Sequence, residues 1–131
     1  MTIPKTILLV EDSPTQALHV LSLLEEQDID VVLAVSGEEG LQLARQVCPD
    51  LVILDMQLPG MNGLEVCREL KCMDETSHIP VIVFTRHDDS EVIGQMLEYG
   101  VVDYIPKDAF ADAVLLETLR QMGLIGSRAE I

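Results

Sequence analysis

Five short apolar runs alternate with longer segments of helical periodicity along this 131-residue chain. The apolar runs cover residues 6–10, 31–35, 51–54, 81–84 and 101–105. Because these runs are apolar nearly throughout, they are typical of strands in a parallel sheet that is covered on both faces. Their alternation with helices predicts an α/β fold, a doubly wound parallel sheet of five strands with five helices.

The helical segments begin at capping signals. Ser13 is followed by Pro14 and, three residues on, by Gln16, which predicts a helix start with a capping box. Ser36 and Glu39 show the same spacing before the second helix. The helices after the first are predicted over residues 41–47, 64–70, 90–97 and 110–122. We expect one domain over residues 1–131, with its core at about residues 6–122 and a tail at residues 123–131.

The overall charge narrows the choice of partners. The chain carries 23 acidic and 8 basic residues, a formal net charge of −15. Such a surface repels phosphate backbones and anionic lipid headgroups, so we expect no direct binding to nucleic acid or membrane. The three cysteines match no zinc or redox motif, and no stretch has the length of a membrane span or the form of a signal peptide. We therefore expect a cytoplasmic protein.

Polar side chains follow four of the five predicted strands, at the point where each strand ends. They are Glu11 and Asp12, Asp55, Thr85, and Lys107. In a doubly wound fold, ligands bind where the carboxyl ends of the strands meet. Two like charges about 4 Å apart repel by about 4 kcal/mol at an effective dielectric constant of about 20, so clustered carboxylates favour a divalent cation such as Mg²⁺. A carboxylate in such a cluster is suited to attack a phosphoryl group.

These residues and their order resemble the receiver domain of two-component response regulators, over about residues 6–122. The resemblance rests on Glu11-Asp12, on Asp55 with Leu-Pro-Gly-Met-Asn-Gly at residues 58–63, on Thr85 and on Lys107. It implies a flavodoxin-like arrangement of the sheet. It also implies that Asp55 accepts a phosphoryl group from a histidine kinase or a phosphotransfer protein, in a reaction that depends on Mg²⁺.

The resemblance assigns a role to each site residue in turn. Asp12, Asp55 and the backbone carbonyl of Gln57 would ligate Mg²⁺ directly, and Glu11 would act through water. The hydroxyl of Thr85 would bond to the phosphoryl group.

Lys107 would pair with the phosphoryl oxygens, and Tyr104 would be the switch aromatic that turns inward when Thr85 moves. The output surface would be residues 90–122. Because the chain ends soon after the last helix, we expect output through a downstream protein target or through dimerisation on phosphorylation.

Three features depart from the family pattern. Asp108 rather than proline follows Lys107, so this bond is either cis, at a cost of about 2.5–4 kcal/mol, or the loop is trans. Arg86 stands where the family carries a small residue. Gln57 and His87 lie where the family tunes attack by water, so we expect this pair to set the lifetime of the phosphorylated form.

Three other functions fit parts of the pattern. A pseudo-receiver, which would be a phosphorylation-independent interaction module, is the main alternative, because Arg86 and Asp108 are unusual. Aspartate-based phosphatases resemble this chain in their nucleophilic aspartate, but they carry an Asp-x-Asp motif after an early strand. Here Gln57, not aspartate, stands two residues past Asp55. A flavin carrier lacks support, since no phosphate-cradling loop follows the first strand. We therefore expect chemistry on the protein's own Asp55 rather than turnover of a substrate.

Overall fold

The computed structural model describes residues 4–86 and 90–126 and contains one five-stranded parallel sheet in that part of the chain. The strands are β1 (Lys5–Val10), β2 (Ile29–Ala34), β3 (Leu51–Leu54), β4 (Val81–Thr85) and β5 (Asp103–Pro106). Their order across the sheet is β2-β1-β3-β4-β5. This is the flavodoxin-like order of a doubly wound fold, so the predicted fold class is confirmed.

The strand order reverses between β1 and β3. The chain moves outward from β1 to β2 and then returns to the other side of β1 to form β3, which creates the crevice where such folds bind ligands. Val10 and Leu54, the last residues of these strands, are register partners. The backbone N–H of Asp55 donates to the carbonyl of Val10 at 3.1 Å. Glu11 and Asp55 therefore leave the sheet side by side.

The helices cover both faces of the sheet. They are α1 (Pro14–Leu24), α2 (Gly37–Val47), α3 (Gly63–Cys72), α4 (Ser90–Glu98) and α5 (Ala111–Gln121). Residues of α2, α3 and α4 pack with alternate strand residues such as Leu8 and Leu54 in one core. Residues of α1 and α5 pack with the other set, such as Leu9 and Ile53, in a second core. The strands are apolar on both faces because each face is covered. No helix in the described ranges has the length and apolarity that a bilayer crossing requires.

Several predicted boundaries differ from the structure, and β2, predicted over residues 31–35, runs over Ile29–Ala34. The fifth strand begins at Asp103 rather than at residue 101, because the N–H of Val101 bonds to the carbonyl of Met96 and closes the end of α4. The predicted tail begins later than residue 123, since Leu124 and Ile125 are only 9% and 8% exposed and belong to the second core. Apolar side chains beyond Gly123 thus complete the packing of α1 and α5. Residues 127–131 lie outside the described part of the chain.

The predicted capping boxes form only in part. Ser13 and Ser36 do cap α1 and α2, since their hydroxyl oxygens accept the backbone N–H groups of Gln16 and Glu39. Glu39 instead accepts the N–H of Val35, and the Gln16 side chain is engaged elsewhere. The complete capping box belongs to α3.

The cysteines allow a first prediction about the packing. Cys67 is fully buried in α3, whereas Cys48 and Cys72 are exposed, and burial raises the pKa of the Cys67 thiol to about 11. Because the thiolate is the reactive form, we expect the native protein to take up two alkyl groups rapidly from iodoacetamide and the third only after unfolding in guanidinium. Intact mass follows both stages. Rapid uptake of three groups by the native protein would contradict this packing.

Candidate functional site

Four predicted site residues meet at the carboxyl end of the sheet. Glu11 follows β1, Asp55 follows β3, Thr85 ends β4 and Lys107 follows β5. Glu11, Asp55 and Thr85 are 3%, 7% and 0% exposed, respectively. A buried polar group is costly unless it is hydrogen-bonded, so the contacts within this cluster decide what it can do.

Three donors surround the Asp55 carboxylate. The hydroxyl of Thr85 and the backbone N–H of Gln57 each donate to Oδ1 at 2.9 Å. The ammonium of Lys107 donates to Oδ2, also at 2.9 Å. Both carboxylate oxygens are therefore held in fixed directions by groups from three different segments. A carboxylate held in this way is an oriented nucleophile with a hydroxyl and a cation beside it.

Lys107 joins the carboxylates to the rest of the site. Its ammonium donates to Glu11 Oε1 at 2.7 Å as well as to Asp55, and it also bonds to Gln16 Oε1. The ammonium lies 5.4 Å from the centre of the Phe84 ring, within cation–π range. No cis peptide bond occurs in the described residues, so the Lys107–Asp108 bond is trans. The Lys107 side chain therefore reaches Asp55 from a loop with a trans bond.

The pKa values of the two buried carboxyl groups, Glu11 and Asp55, are shifted in opposite directions. Burial alone would raise the pKa of Asp55, but the N–H of Gln57, the side chain of Glu11 and the ammonium of Lys107 together hold this pKa below its usual range. Burial, aided by the nearby charge of Asp55, raises the pKa of Glu11 against the opposing effect of Lys107. The site thus keeps Asp55 ionised and places any shared proton on Glu11.

The remaining predicted residues lie at the rim. Asp12 and the side chain of Gln57 are exposed, and Tyr104 is half-buried against the core formed with α2, α3 and α4. No group of three or more His, Cys, Asp or Glu side chains is arranged to hold a metal ion within the described ranges. Hydrogen bonds therefore connect Glu11, Asp55, Thr85 and Lys107 in one cluster. Asp12 is exposed next to this cluster. His87 lies outside the described residues.

A tight loop fixes the position of Asp55 from the other side. The N–H of Gly63 bonds to the carbonyl of Met56 at 3.0 Å, which brings the start of α3 against the end of β3. Asn62 and Glu65 then form a full capping box on α3. Sequence reasoning treated residues 58–63 as a loop and missed this cap, although the Asn-x-x-Glu spacing signals it.

A cavity of about 330 Å³ opens next to Lys107. Its lining includes Gln16, His19, Arg86 and Asp112. His19 Nε2 lies 2.9 Å from both carboxylate oxygens of Asp112 and so connects α1 to α5. Arg86, which we noted as unusual, is exposed on the wall of this cavity. Gln16 is the functional contact that sequence reasoning missed, because its position after Ser13 indicated only a helix cap.

Comparison with known proteins agrees with this geometry. Residues 7–120 match the response regulator receiver domain family. PilH of Pseudomonas aeruginosa is 39% identical over 111 residues, which cover 83% of this chain and 90% of PilH. The signal receiver domain of a signal transduction histidine kinase from Syntrophus aciditrophicus is 34% identical, with a TM-score of 0.81 and 97% of both chains covered.

The receiver domain of the sensor histidine kinase PA1611 from Pseudomonas aeruginosa was solved with magnesium in its active-site cleft. It is 26% identical, with a TM-score of 0.80, over 91% of this chain and 97% of that chain. Against several other curated relatives, which are DNA-binding or transcriptional response regulators, the match spans about half of their length, for example 44% and 45%. The family match, the strand order and the four joined residues agree, and the chain belongs to the response regulator receiver domain family.

Proposed function

We propose that this protein is a phosphorylation switch in which Asp55 accepts a phosphoryl group. The observation that carries the proposal is the Asp55 carboxylate, which is 7% exposed and held by Thr85, Gln57 and Lys107. Its lowered pKa keeps it ionised and hence nucleophilic at neutral pH. A merely structural aspartate would not need a cation, a hydroxyl and a backbone donor around a carboxylate at the ligand-binding edge of the sheet.

The proposed reaction is a direct transfer to the protein. An oxygen of Asp55 forms a bond to phosphorus while the bond from phosphorus to the donor breaks. The donor is the phosphohistidine nitrogen of a histidine kinase or a phosphotransfer protein, or the acetate oxygen of acetyl phosphate. Lys107 and Thr85, both 2.9 Å from the carboxylate, then neutralise charge on the phosphoryl oxygens. We propose no turnover of an external substrate beyond this transfer and the later hydrolysis, in which water takes the phosphoryl group, inorganic phosphate leaves and the Asp55 carboxylate is restored.

The donor set fits a magnesium ion. Mg²⁺ is bound in proteins through one or two carboxylates while it keeps several waters, and Glu11 and Asp55 supply two buried carboxylates side by side. Asp12 and the carbonyl of Gln57 would complete the protein ligands, with Glu11 acting through water. The ion would supply positive charge for the phosphoryl oxygens and would relieve the repulsion between the carboxylates.

The proposed output surface is residues 90–122. Five of the exposed large apolar side chains in the described residues fall in this span, namely Leu97, Tyr99, Val102, Phe110 and Val114. Phe110 and Val114 line one shallow surface pocket on α5, and an exposed apolar patch of this kind favours binding to another protein. Phosphorylation would shift Thr85 and Tyr104 and so bias this surface toward a downstream target or a second copy of the chain. We place the switch in the cytoplasm, where its kinase would act.

The decisive test is labelling with acetyl phosphate, with and without magnesium, beside an Asp55→Asn variant. We expect one phosphoryl group on the parent protein with magnesium and none on the variant. Intact mass is the readout, because the chain has no tryptophan for fluorescence quenching. If neither acetyl phosphate nor a panel of phosphorylated kinases labelled the parent, the phosphorylation-independent interaction module would replace this proposal.

A further inference from the structure

The Lys107 ammonium uses all three of its N–H donors inside the site. It bonds to Glu11 Oε1 at 2.7 Å, to Asp55 Oδ2 at 2.9 Å and to Gln16 Oε1. An ammonium group has three donors and no acceptor, so these contacts saturate it. The Lys107 side chain is only 11% exposed, so protein atoms cover most of its surface. The three acceptors together fix where the positive charge stands.

The three acceptors differ in what happens to them during phosphoryl transfer. In the proposed function Asp55 would become part of an acyl phosphate and Glu11 would help to hold a magnesium ion through water, so the contacts of both with Lys107 would change. Gln16 is a neutral amide outside the acceptor chemistry, and its contact has no reason to break. If Gln16 keeps its bond to one N–H of the Lys107 ammonium, the other two N–H groups can bond to the phosphoryl oxygens.

Gln16 is itself held in place by the packing of α1. Ala17 and Val20, on the same helix, are 3% and 1% exposed in the core shared with α5. His19 and Asp112 join the two helices at 2.9 Å. In the loop after β5, Asp108 Oδ1 accepts the N–H of Phe110 and so holds the start of α5.

We propose that Gln16 is a positioning residue that anchors the Lys107 ammonium beside Asp55 before and during phosphoryl transfer. The effect on the reaction rests on the proposed function, whereas the anchoring itself does not. With this anchor, the Lys107 side chain is held beside Asp55 in a loop whose Lys107–Asp108 bond is trans. It also ties α1 to the loop after β5, across 91 residues of sequence.

The anchoring can be measured without any phosphoryl donor. The chain has three lysines, Lys5, Lys71 and Lys107, so ¹⁵N-lysine labelling gives three ammonium signals at most. Lys71 bonds to the carbonyls of Ile79 and Ser77 and serves as the internal reference. At low temperature we expect a slowly exchanging Lys107 signal, assigned by its loss in Lys107→Ala. Gln16→Met should abolish its protection and leave the Lys71 signal unchanged.

Two further variants separate anchoring from a change in α1. Gln16→Glu keeps an oxygen acceptor and should retain the protected Lys107 signal, and Gln42→Met, at an exposed position of α2, should change neither signal. Methionine, glutamate and glutamine are all good helix formers, so the helix is not the variable. Loss of protection in both Gln16 variants, or in neither, would overturn the proposal.

The effect on the reaction is tested by a double-mutant cycle. Gln16→Met should slow labelling by acetyl phosphate about tenfold, the consequence of losing one hydrogen bond to a charged group. In the Lys107→Ala background the same change should have no further effect, because its target is gone. An equal slowing in both backgrounds would mean that Gln16 does not act through Lys107. If the parent is not labelled at all, the proposed function fails, while the ammonium signals still decide the anchoring.

Discussion

Replacing Gly63 with alanine should destabilise the protein and displace the Asp55 carboxylate. A Cβ at Gly63 would lie 2.7 Å from the carbonyl oxygen of Asp55 and 2.7 Å from the Cα of Met56. Both are backbone atoms at the end of β3, so they cannot rotate away as a side chain could. We expect the free energy of unfolding to fall by about 2 kcal/mol, measured by chemical denaturation, because the strand end or α3 must shift.

The same substitution should slow the reaction with acetyl phosphate. The strand end carries Asp55, and small displacements of a reacting group lower its reactivity steeply. Gly94→Ala is the matched control, since no described heavy atom lies within 4 Å of a Cβ at that position in α4. It should raise the stability by about 0.5–1 kcal/mol, the usual gain from alanine in a helix, and leave labelling unchanged. Similar stability changes in the two variants would contradict the close approach at Gly63.

The position of the four-residue site could be predicted from the sequence, because each of its residues follows or ends a strand of one parallel sheet. Parallel strands end at one edge, so Glu11, Asp55, Thr85 and Lys107 had to lie near one another once five apolar runs were recognised as one sheet. The roles predicted for Asp12, Gln57 and Tyr104 do not follow from strand order. They depend on a bound ion or on a second conformation, and they stay predictions here.

The features that sequence reasoning missed are those that depend on side-chain direction. Gln16 fitted a capping box, and only the packing of α1 against the sheet shows that its amide turns toward Lys107. Val101 is apolar and looked like strand, yet its N–H is taken by Met96 at the end of α4. Leu124 followed a helix-ending glycine and looked like tail, but its place in the core shared with α1 and α5 is not visible in a linear pattern.

Lys107→Met should nearly abolish phosphoryl acceptance and lower stability most at neutral pH. The variant keeps most of the apolar stem but removes the cation that bonds to Glu11 and Asp55. Loss of one fixed donor to a developing charge costs about 100-fold in rate. Removal of one partner from a buried ion pair costs about 3 kcal/mol, because the other charge is left uncompensated.

The sign of the pH dependence follows from the two carboxyl groups. In the parent, Lys107 acts to lower the pKa of both Asp55 and Glu11, so its removal raises both. A group whose pKa is higher in the folded state than in the unfolded state stabilises the fold below its unfolded pKa, and that stability is lost as the pH rises. The pKa of Glu11, already raised in the parent and raised further in the variant, should therefore make the variant regain stability as the pH falls below neutral and this carboxyl group takes up a proton.

The pKa of Glu11 is already raised in the parent, so part of the same gain in stability occurs there, and the difference between the two proteins is the informative quantity. The lowered pKa of Asp55 contributes stability to the parent that persists until the pH falls to about 4, near the usual aspartate value. Chemical denaturation at each pH should show a gap between parent and variant that narrows toward acid. Lys5→Met, at an exposed position, is the control and should show no gap. A gap that is constant across this pH range would mean that Lys107 stabilises the site by packing alone and that the carboxylates do not depend on its charge.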